Sequence, residues 1–447
     1  MKRLFSLSPP RLWLVLALAV GLTAFLGIYV LEGSANTPAG RLFDSYLAPT
    51  PPPATANPTA TPALATRPPA TPPAAAPPKT TLTTHTIRLP LMLKQYPWQL
   101  AYGWKGVGDP GQLDAHPSDG FWGIYPDWWY NWGGEGSYTA KSGSRTMAET
   151  LADLEAGLQD PRYAPMIWCP HDVKSDQPTP EEAANLARRY PGRVWLMFNE
   201  PDNTAYQCGY WINQDPRYHP FFQYSNWEGL GEYLAQQYIL YYDAIKAADP
   251  YSRLFAVGLL ALPMPTLSNP WWRDGVPVWN AFVTELADQG HTLDGIAIHA
   301  YPNSGSSFHQ NCLTGPAGYL DYGCVQRALG DAHGFFQTQS GTAAKTIWIT
   351  EIGSLTSVDQ QPWTTTRDGF ENPMLSWFSQ HIRPGQDRQY VNAVSWFSTH
   401  YKTATEDFTA SNLLNHLQPE LKQLTAVGQA WRDRTCPDCA CPGPDCP

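Results

Sequence analysis

From about residue 95 onward, short apolar runs recur along the chain, separated by longer stretches with helical periodicity. The runs are Gln99–Trp104, Trp128–Trp132, Pro165–Cys169, Val194–Phe198, Leu254–Leu259, Gly295–His299, Ile347–Thr350 and Val394–Phe397. Several are apolar on both faces, as parallel strands must be when helices cover one side and a core fills the other. Helix signals lie between them. Thr179-Pro180-Glu181-Glu182 offers an N-cap, a proline at the first helical position and a glutamate at the capping-box position, ahead of a helix over Ala183–Tyr190. Trp227–Ala248 and Val278–Gln289 read as further helices, the second closed by Gly290, and Pro419–Arg434 reads as a last one. Eight strands alternating with helices predict an α/β fold, a (β/α)8 TIM barrel, over an open doubly wound sheet.

The pattern differs before residue 95. An uncharged apolar run, Leu12–Leu31, follows Lys2, Arg3 and Arg11. It is long enough to span a bilayer and longer than the apolar part of a usual signal peptide. Its positive flank belongs inside, so the rest of the chain is expected outside the cytoplasm. A retained transmembrane anchor over residues 12–31 is favoured over a signal peptide cleaved near Ala35. Residues 47–80 are almost wholly Pro, Ala and Thr, and such a segment buries too little apolar surface to order itself. The expected organisation is a signal anchor or signal peptide (1–35), a disordered Pro/Ala/Thr-rich linker (36–94), the barrel (95–435) and a Cys/Pro-rich tail (436–447).

Charge narrows the partners. A net charge of −10 with no cluster of Lys and Arg argues against nucleic acid. The 19 Trp and 23 Tyr offer flat apolar faces that suit sugars, although large barrels also bury such rings. The eight Cys fit an exported chain, where disulfides persist. Cys169 and Cys208 can meet at one rim of the barrel, and Cys312 and Cys324 can close one Gly-rich loop. The tail cysteines Cys436, Cys439, Cys441 and Cys446 lack an accompanying His, so disulfides are preferred there to a zinc site.

Two of the runs terminate in a carboxylate. Val194–Phe198 leads into Asn199-Glu200-Pro201-Asp202, and Ile347–Thr350 leads into Glu351-Ile352-Gly353. A glutamate directly after a buried strand is costly unless it is satisfied or used. One such residue can be a structural partner of an Arg; a pair on the fourth and seventh strands points to chemistry at the mouth of the barrel. Retaining glycoside hydrolysis needs such a pair, one carboxylic acid to protonate the leaving oxygen and one carboxylate to attack the anomeric carbon. No organic cofactor or metal is implied. His171-Asp172 has no second His at ligand spacing, and neither a nucleophile elbow nor a P-loop occurs.

Asn199-Glu200-Pro201 with Thr350-Glu351 resembles the signature of clan A glycoside hydrolases. Trp129-Tyr130-Asn131-Trp132, Ala164–Trp168, Phe198–Asp202, Ile298-His299-Ala300-Tyr301 and Trp348–Glu351 occur in the same order as in glycoside hydrolase family 128, the Asl1-like cell-wall hydrolases. The resemblance runs from about Leu100 to Trp431. It implies a retaining endo-β-1,3-glucanase, with Glu200 as acid/base and Glu351 as nucleophile. It further implies that Asn199 binds the sugar 2-hydroxyl and that Tyr301 orients Glu351. His299, Trp396, Trp104, Tyr130, Asn131 and Trp168 are the other candidate substrate-binding residues, and Trp211, Trp271 and Trp272 are candidate outer platforms. The chain departs from the family at Asn203, where Leu is common, and at Ile352, where Phe is common. The alternatives are another clan A specificity, such as a β-glucosidase or β-xylosidase, and a surface carbohydrate-binding protein without turnover. A monomer acting on a polysaccharide or oligosaccharide, held at the membrane by its N-terminal segment, completes the expectation.

Overall fold

The computed structural model describes residues 104–108, 124, 126–132, 146–205, 207–265, 275–301, 322–343, 345–354, 359, 362–381, 391–398, 409–415 and 423–434. All belong to the second of two units, Arg88–Pro447. The proposed anchor, linker and cysteine tail lie outside the described residues, as do Cys312, Trp271 and Trp272, so the Cys312–Cys324 pairing falls outside them too. Among the described residues no helix is long and apolar enough to cross a membrane.

Eight parallel strands are present: β1 (Lys105–Gly108), β2 (Trp128–Tyr130), β3 (Met166–Ile167), β4 (Val194–Met197), β5 (Arg253–Leu259), β6 (Gly295–Ala300), β7 (Thr346–Ile352) and β8 (Ala393–Phe397). They hydrogen-bond in the order β2-β1-β8-β7-β6-β5-β4-β3. A parallel bridge between Trp129 and Tyr163, just ahead of β3, spans the remaining gap. The result is a nearly closed barrel with helices, consistent with a (β/α)8 barrel. The first strand begins at Lys105, at the end of the apolar run that suggested it. Trp104 precedes the strand and packs on Trp431 instead.

Helices follow most strands: α1 (Met147–Leu158) and α2 (Pro180–Arg189) after β2 and β3, then α3 (Cys208–Gln214), α4 (His219–Gln223) and α5 (Trp227–Ala248) after β4. Next come α6 (Gly275–Asp288), α7 (Tyr322–Thr338), α8 (Trp363–Thr366), α9 (Asn372–His381) and α10 (Ala426–Asp433). Helix α2 starts with the capping box read from the sequence: the Thr179 hydroxyl accepts from the Glu182 N–H while the Glu182 carboxylate accepts from the Thr179 N–H. α10 is shorter than the pattern suggested, with Thr425 rather than Pro419 ahead of its first turn.

Large rings fill the barrel. Trp128 of β2, Trp348 of β7 and Phe255 of β5 meet inside it, with centroids 4.5 Å apart for the two indoles and 4.9 Å for Trp348 and Phe255. A Cβ on Gly295 of β6 would lie 2.4 Å from the Phe255 ring, so that strand is bare where the phenyl needs room. The Cys169–Cys208 disulfide ties the loop after β3 to the start of α3, across a separation of 39 residues.

Removing the central indole tests this core. Trp348→Ala is expected to cost about 3–5 kcal/mol, whereas Leu240→Ala, on an exposed position of α5, should stay within about 0.5 kcal/mol. Equilibrium urea unfolding measures both.

Candidate active site

Strands β2, β4, β5, β6, β7 and β8 each bring a group to the C-terminal mouth of the barrel. The fourth strand contributes through a distorted turn. Phe198 and Glu200 both take left-handed backbone angles, φ 62° and 46°, a region non-glycine residues occupy at a cost of roughly 1–3 kcal/mol each. Neighbouring backbone holds them there. Phe198 N–H donates to Ile167, Asn199 N–H to Trp168 at 2.8 Å, and Glu200 N–H to the Gly258 carbonyl at 2.7 Å. Asp202 locks the exit, accepting from the Leu260 and Ala261 N–H groups at 2.9 Å each. The Glu200 side chain is thereby aimed back over the barrel.

The seventh strand uses a bulge. Ile298 pairs with Ile349 but His299 pairs with Glu351, leaving Thr350 as an extra residue; the β8 side shows the same skip. Trp348 points into the barrel, and strict alternation would turn Glu351 outward. The extra residue re-aims it inward. Tyr130 fixes the bulge, its hydroxyl donating to the Thr350 carbonyl at 2.8 Å. Glu351 therefore lies within β7 rather than after its end, as the apolar run had suggested.

The two carboxylates meet around one imidazole. His299 Nδ1 is 3.0 Å from Glu200 Oε1 and 3.4 Å from Glu351 Oε2. One ligand-type atom from each of the three residues lies within 4.8 Å of the others, close enough to embrace a small cation as well. The ring sits against β5, where a Cβ on Gly258 would lie 2.8 Å from Nε2, so the close approach requires glycine. Glu351 receives further donors: Trp132 Nε1–H at 3.0 Å on Oε1 and the Tyr301 hydroxyl on Oε2. Phe397 packs edge-on against both Trp132 and Tyr301, each 5.6 Å between centroids, and walls the pocket from β8.

Burial dominates the electrostatics. It pushes the Glu351 pKa above the ordinary carboxylate value, and nearby Glu200 adds to the rise, while His299, Tyr301 and Trp132 oppose it. For His299 burial disfavours the charged ring, but Glu351 and Glu200 outweigh that and hold its pKa above the usual value. The Tyr130 and Tyr301 hydroxyls are pushed far up by burial and by the anionic neighbours, so they act as donors.

Of the candidates from sequence, Glu200, Glu351, His299, Tyr301 and Tyr130 come together here. Asn199 lies beside them, its Nδ2–H donating to Gln207 at 3.0 Å and its buried Oδ1 without a partner. Four others are placed elsewhere. Trp396 alternates with Phe397 and faces the helices, packed on Phe370 and Trp431 with Nε1–H on the Ser411 carbonyl. Trp104 is at the opposite end of β1 from the mouth. Asn131 is on the Trp129 side of β2 and accepts from the Tyr163 hydroxyl at 2.6 Å. Trp168 is buried, with Lys174 Nζ 5.6 Å from its ring, and offers no open stacking face; Trp211 meets the same ammonium at 4.8 Å. His171 and Asp172 are engaged structurally, with the Gln177 carbonyl and the Tyr218 and Tyr233 hydroxyls. Trp132 and Phe397 were not singled out by sequence, although their strand-end position and period-two spacing from Tyr130 and Ser395 could have indicated them.

Residues 242–431, less than half of the chain, match the family model described as glycosyl hydrolase catalytic core. That stretch, from α5 to α10, is similar to a glycosyl hydrolase catalytic core. No curated protein matches it. Similar solved structures include an endo-β-1,3-glucanase of family GH128 (subgroup I) from Amycolatopsis mediterranei, at 17% identity, covering 74% of this chain and 98% of that one, with a TM-score of 0.40. A subgroup II endo-β-1,3-glucanase from Pseudomonas viridiflava gives 19% identity, the same coverages and a TM-score of 0.42. A monomeric β-xylosidase from Caulobacter crescentus gives 12%, coverages of 74% and 67%, and 0.45.

The donors on Glu351 define a titration experiment. They stabilise its ionised form, so removing one raises the pKa further. Carboxyl ¹³C NMR of wild type should place Glu351 above the ordinary carboxylate range, and Trp132→Phe should move it higher still. A downward move in the variant would contradict the geometry.

Proposed function

We propose that this chain, on the strength of its similarity to a glycosyl hydrolase catalytic core, is a retaining glycoside hydrolase of the (β/α)8 class that cleaves a β-1,3-glucan internally. The observation that carries the reading is the closeness of Glu200 and Glu351 around His299. Retaining enzymes hold their carboxyl groups roughly 5–5.5 Å apart, whereas inverting enzymes separate them by about 6.5–9.5 Å to admit a water. A Glu200–Glu351 pair with one oxygen of each within 4.8 Å of the other is nearer the retaining spacing than the inverting one and favours direct attack.

The partners divide the roles. Glu351 faces the Trp132, Tyr301 and His299 donors, which offset part of the cost of burying its anion and orient it as a nucleophile. Glu200 is held at the turn after β4, where it protonates the departing oxygen and, once the glycosyl–Glu351 ester has formed, deprotonates the water that hydrolyses it. Asn199 offers its unpartnered Oδ1 to the sugar 2-hydroxyl. The linkage rests on the order of the five sequence motifs. The same reading places the enzyme outside the cytoplasm on a membrane anchor, supported by the Leu12–Leu31 run and by the Cys169–Cys208 disulfide.

Release of reducing ends from laminarin, curdlan, xylan and cellulose tests substrate and turnover together. Laminarin and curdlan are expected to be cut, with chelators without effect. Glu351→Ala should lower kcat by at least about 10³-fold while leaving polysaccharide binding intact, and azide should restore turnover by forming a glycosyl azide of inverted configuration. Cleavage of none of the four polymers would favour a binding protein. A Glu351→Ala enzyme that keeps most of its activity would remove the mechanism.

A further inference from the structure

Glu200 has two carboxylate oxygens and two different partners. Oε1 faces His299; Oε2 accepts from Asn203 Nδ2 at 2.8 Å. The direction of the second bond is settled by its surroundings. Asn203 Oδ1 accepts the Ala205 backbone N–H at 3.2 Å, and that N–H can only donate. Turning the amide over would set donor against donor there and oxygen against oxygen at Glu200. Nδ2 therefore belongs on Glu200.

The turn that carries Asn203 is itself braced. Asn203 N–H donates to the Glu200 carbonyl at 3.0 Å, and Gly209 N–H donates to the same oxygen at 3.2 Å. A side chain at Gly209 would put its Cβ 2.6 Å from the carbonyl oxygens of both Asn203 and Pro201, so the first turn of α3 closes on this loop only because that residue is glycine. Cys208, its neighbour, is tied to Cys169, and Cys208 N–H donates to the Asn199 carbonyl. The amide of Asn203 is thus held in place by main-chain bonds, independently of the Glu200 side chain.

We propose that Asn203 is a positioning residue for Glu200 that fixes the plane of its carboxyl group for proton transfer. The terminal torsion of a glutamate is soft, and a single partner at Oε1 leaves the group free to turn about it. A second donor at Oε2 removes that freedom, and a general acid works only when its proton is aimed at the leaving oxygen. A leucine, common at this place in the resembled family, has no polar atom to do this. The inference rests on Glu200 being the acid.

Leaving-group dependence tests it. A 2,4-dinitrophenyl laminaribioside departs without protonation, whereas laminarin requires the acid, and kcat/KM reports the first bond cleavage for both. Asn203→Leu removes the donor. Asn203→Asp does so while keeping the oxygen that accepts from Ala205, so the turn is retained. Both variants are expected to lose about tenfold or more in kcat/KM on laminarin and to stay within about twofold on the dinitrophenyl substrate. Glu200→Ala is the reference and should show the same selectivity, enlarged. Asn203 variants with the wild-type ratio between the two substrates, or with equal losses on both, would overturn the role of Asn203. A Glu200→Ala enzyme that loses both substrates alike would instead overturn the assignment of Glu200 as the acid.

Discussion

Two carboxylates buried side by side repel one another and lack the water that would solvate them, and the mouth of the barrel is built around that constraint. Glu200 and Glu351 are 5% and 3% exposed, so their oxygens must be satisfied by protein or remain unpaired in a medium of low polarity. His299 answers part of this by standing between them. The remainder comes from groups that can only donate in this setting: the indole of Trp132, the hydroxyl of Tyr301 and the amide of Asn203.

Each local irregularity near the mouth serves that arrangement. The left-handed angles at Phe198 and Glu200 turn the fourth strand so that the carboxylate returns over the barrel, and the bonds to β3 and β5 hold it. The extra residue at Thr350 turns Glu351 inward without disturbing Trp348 below it. Gly258 leaves room for the imidazole. Among the described strands the register shifts fall along β5, β6, β7 and β8 and the left-handed angles just after β4, whereas β1 pairs regularly with β2 and β8.

The fold and the pairing of two glutamates at the barrel mouth were legible because their signals are strong and local. Eight apolar runs, one capping box and two strand-end glutamates survive any uncertainty of one or two residues in an element's ends. The side chains around the pair were less legible, since period-two alternation gives a different answer for each assumed register. Trp396 and Phe397 are adjacent aromatics at the end of one strand, and only the pairing of β8 shows that Phe397 faces the pocket and Trp396 the helices. Trp132 was read as the last residue of a strand, while β2 ends at Tyr130 and frees Trp132 to reach Glu351. Asn203 was visible as a departure from the resembled pattern. Its contact with Glu200 depends on a tight turn that the sequence signals only through its composition.

The claim on which all of this turns is that Glu351 is the residue that bonds to the sugar. A 2-deoxy-2-fluoro-laminaribiosyl fluoride slows hydrolysis of such a bond enough for the adduct to be seen by intact mass, followed by peptic mapping. The account predicts a single added glycosyl group on the peptide containing Glu351. A label on Glu200, or steady turnover with no adduct and inverted product, would contradict it.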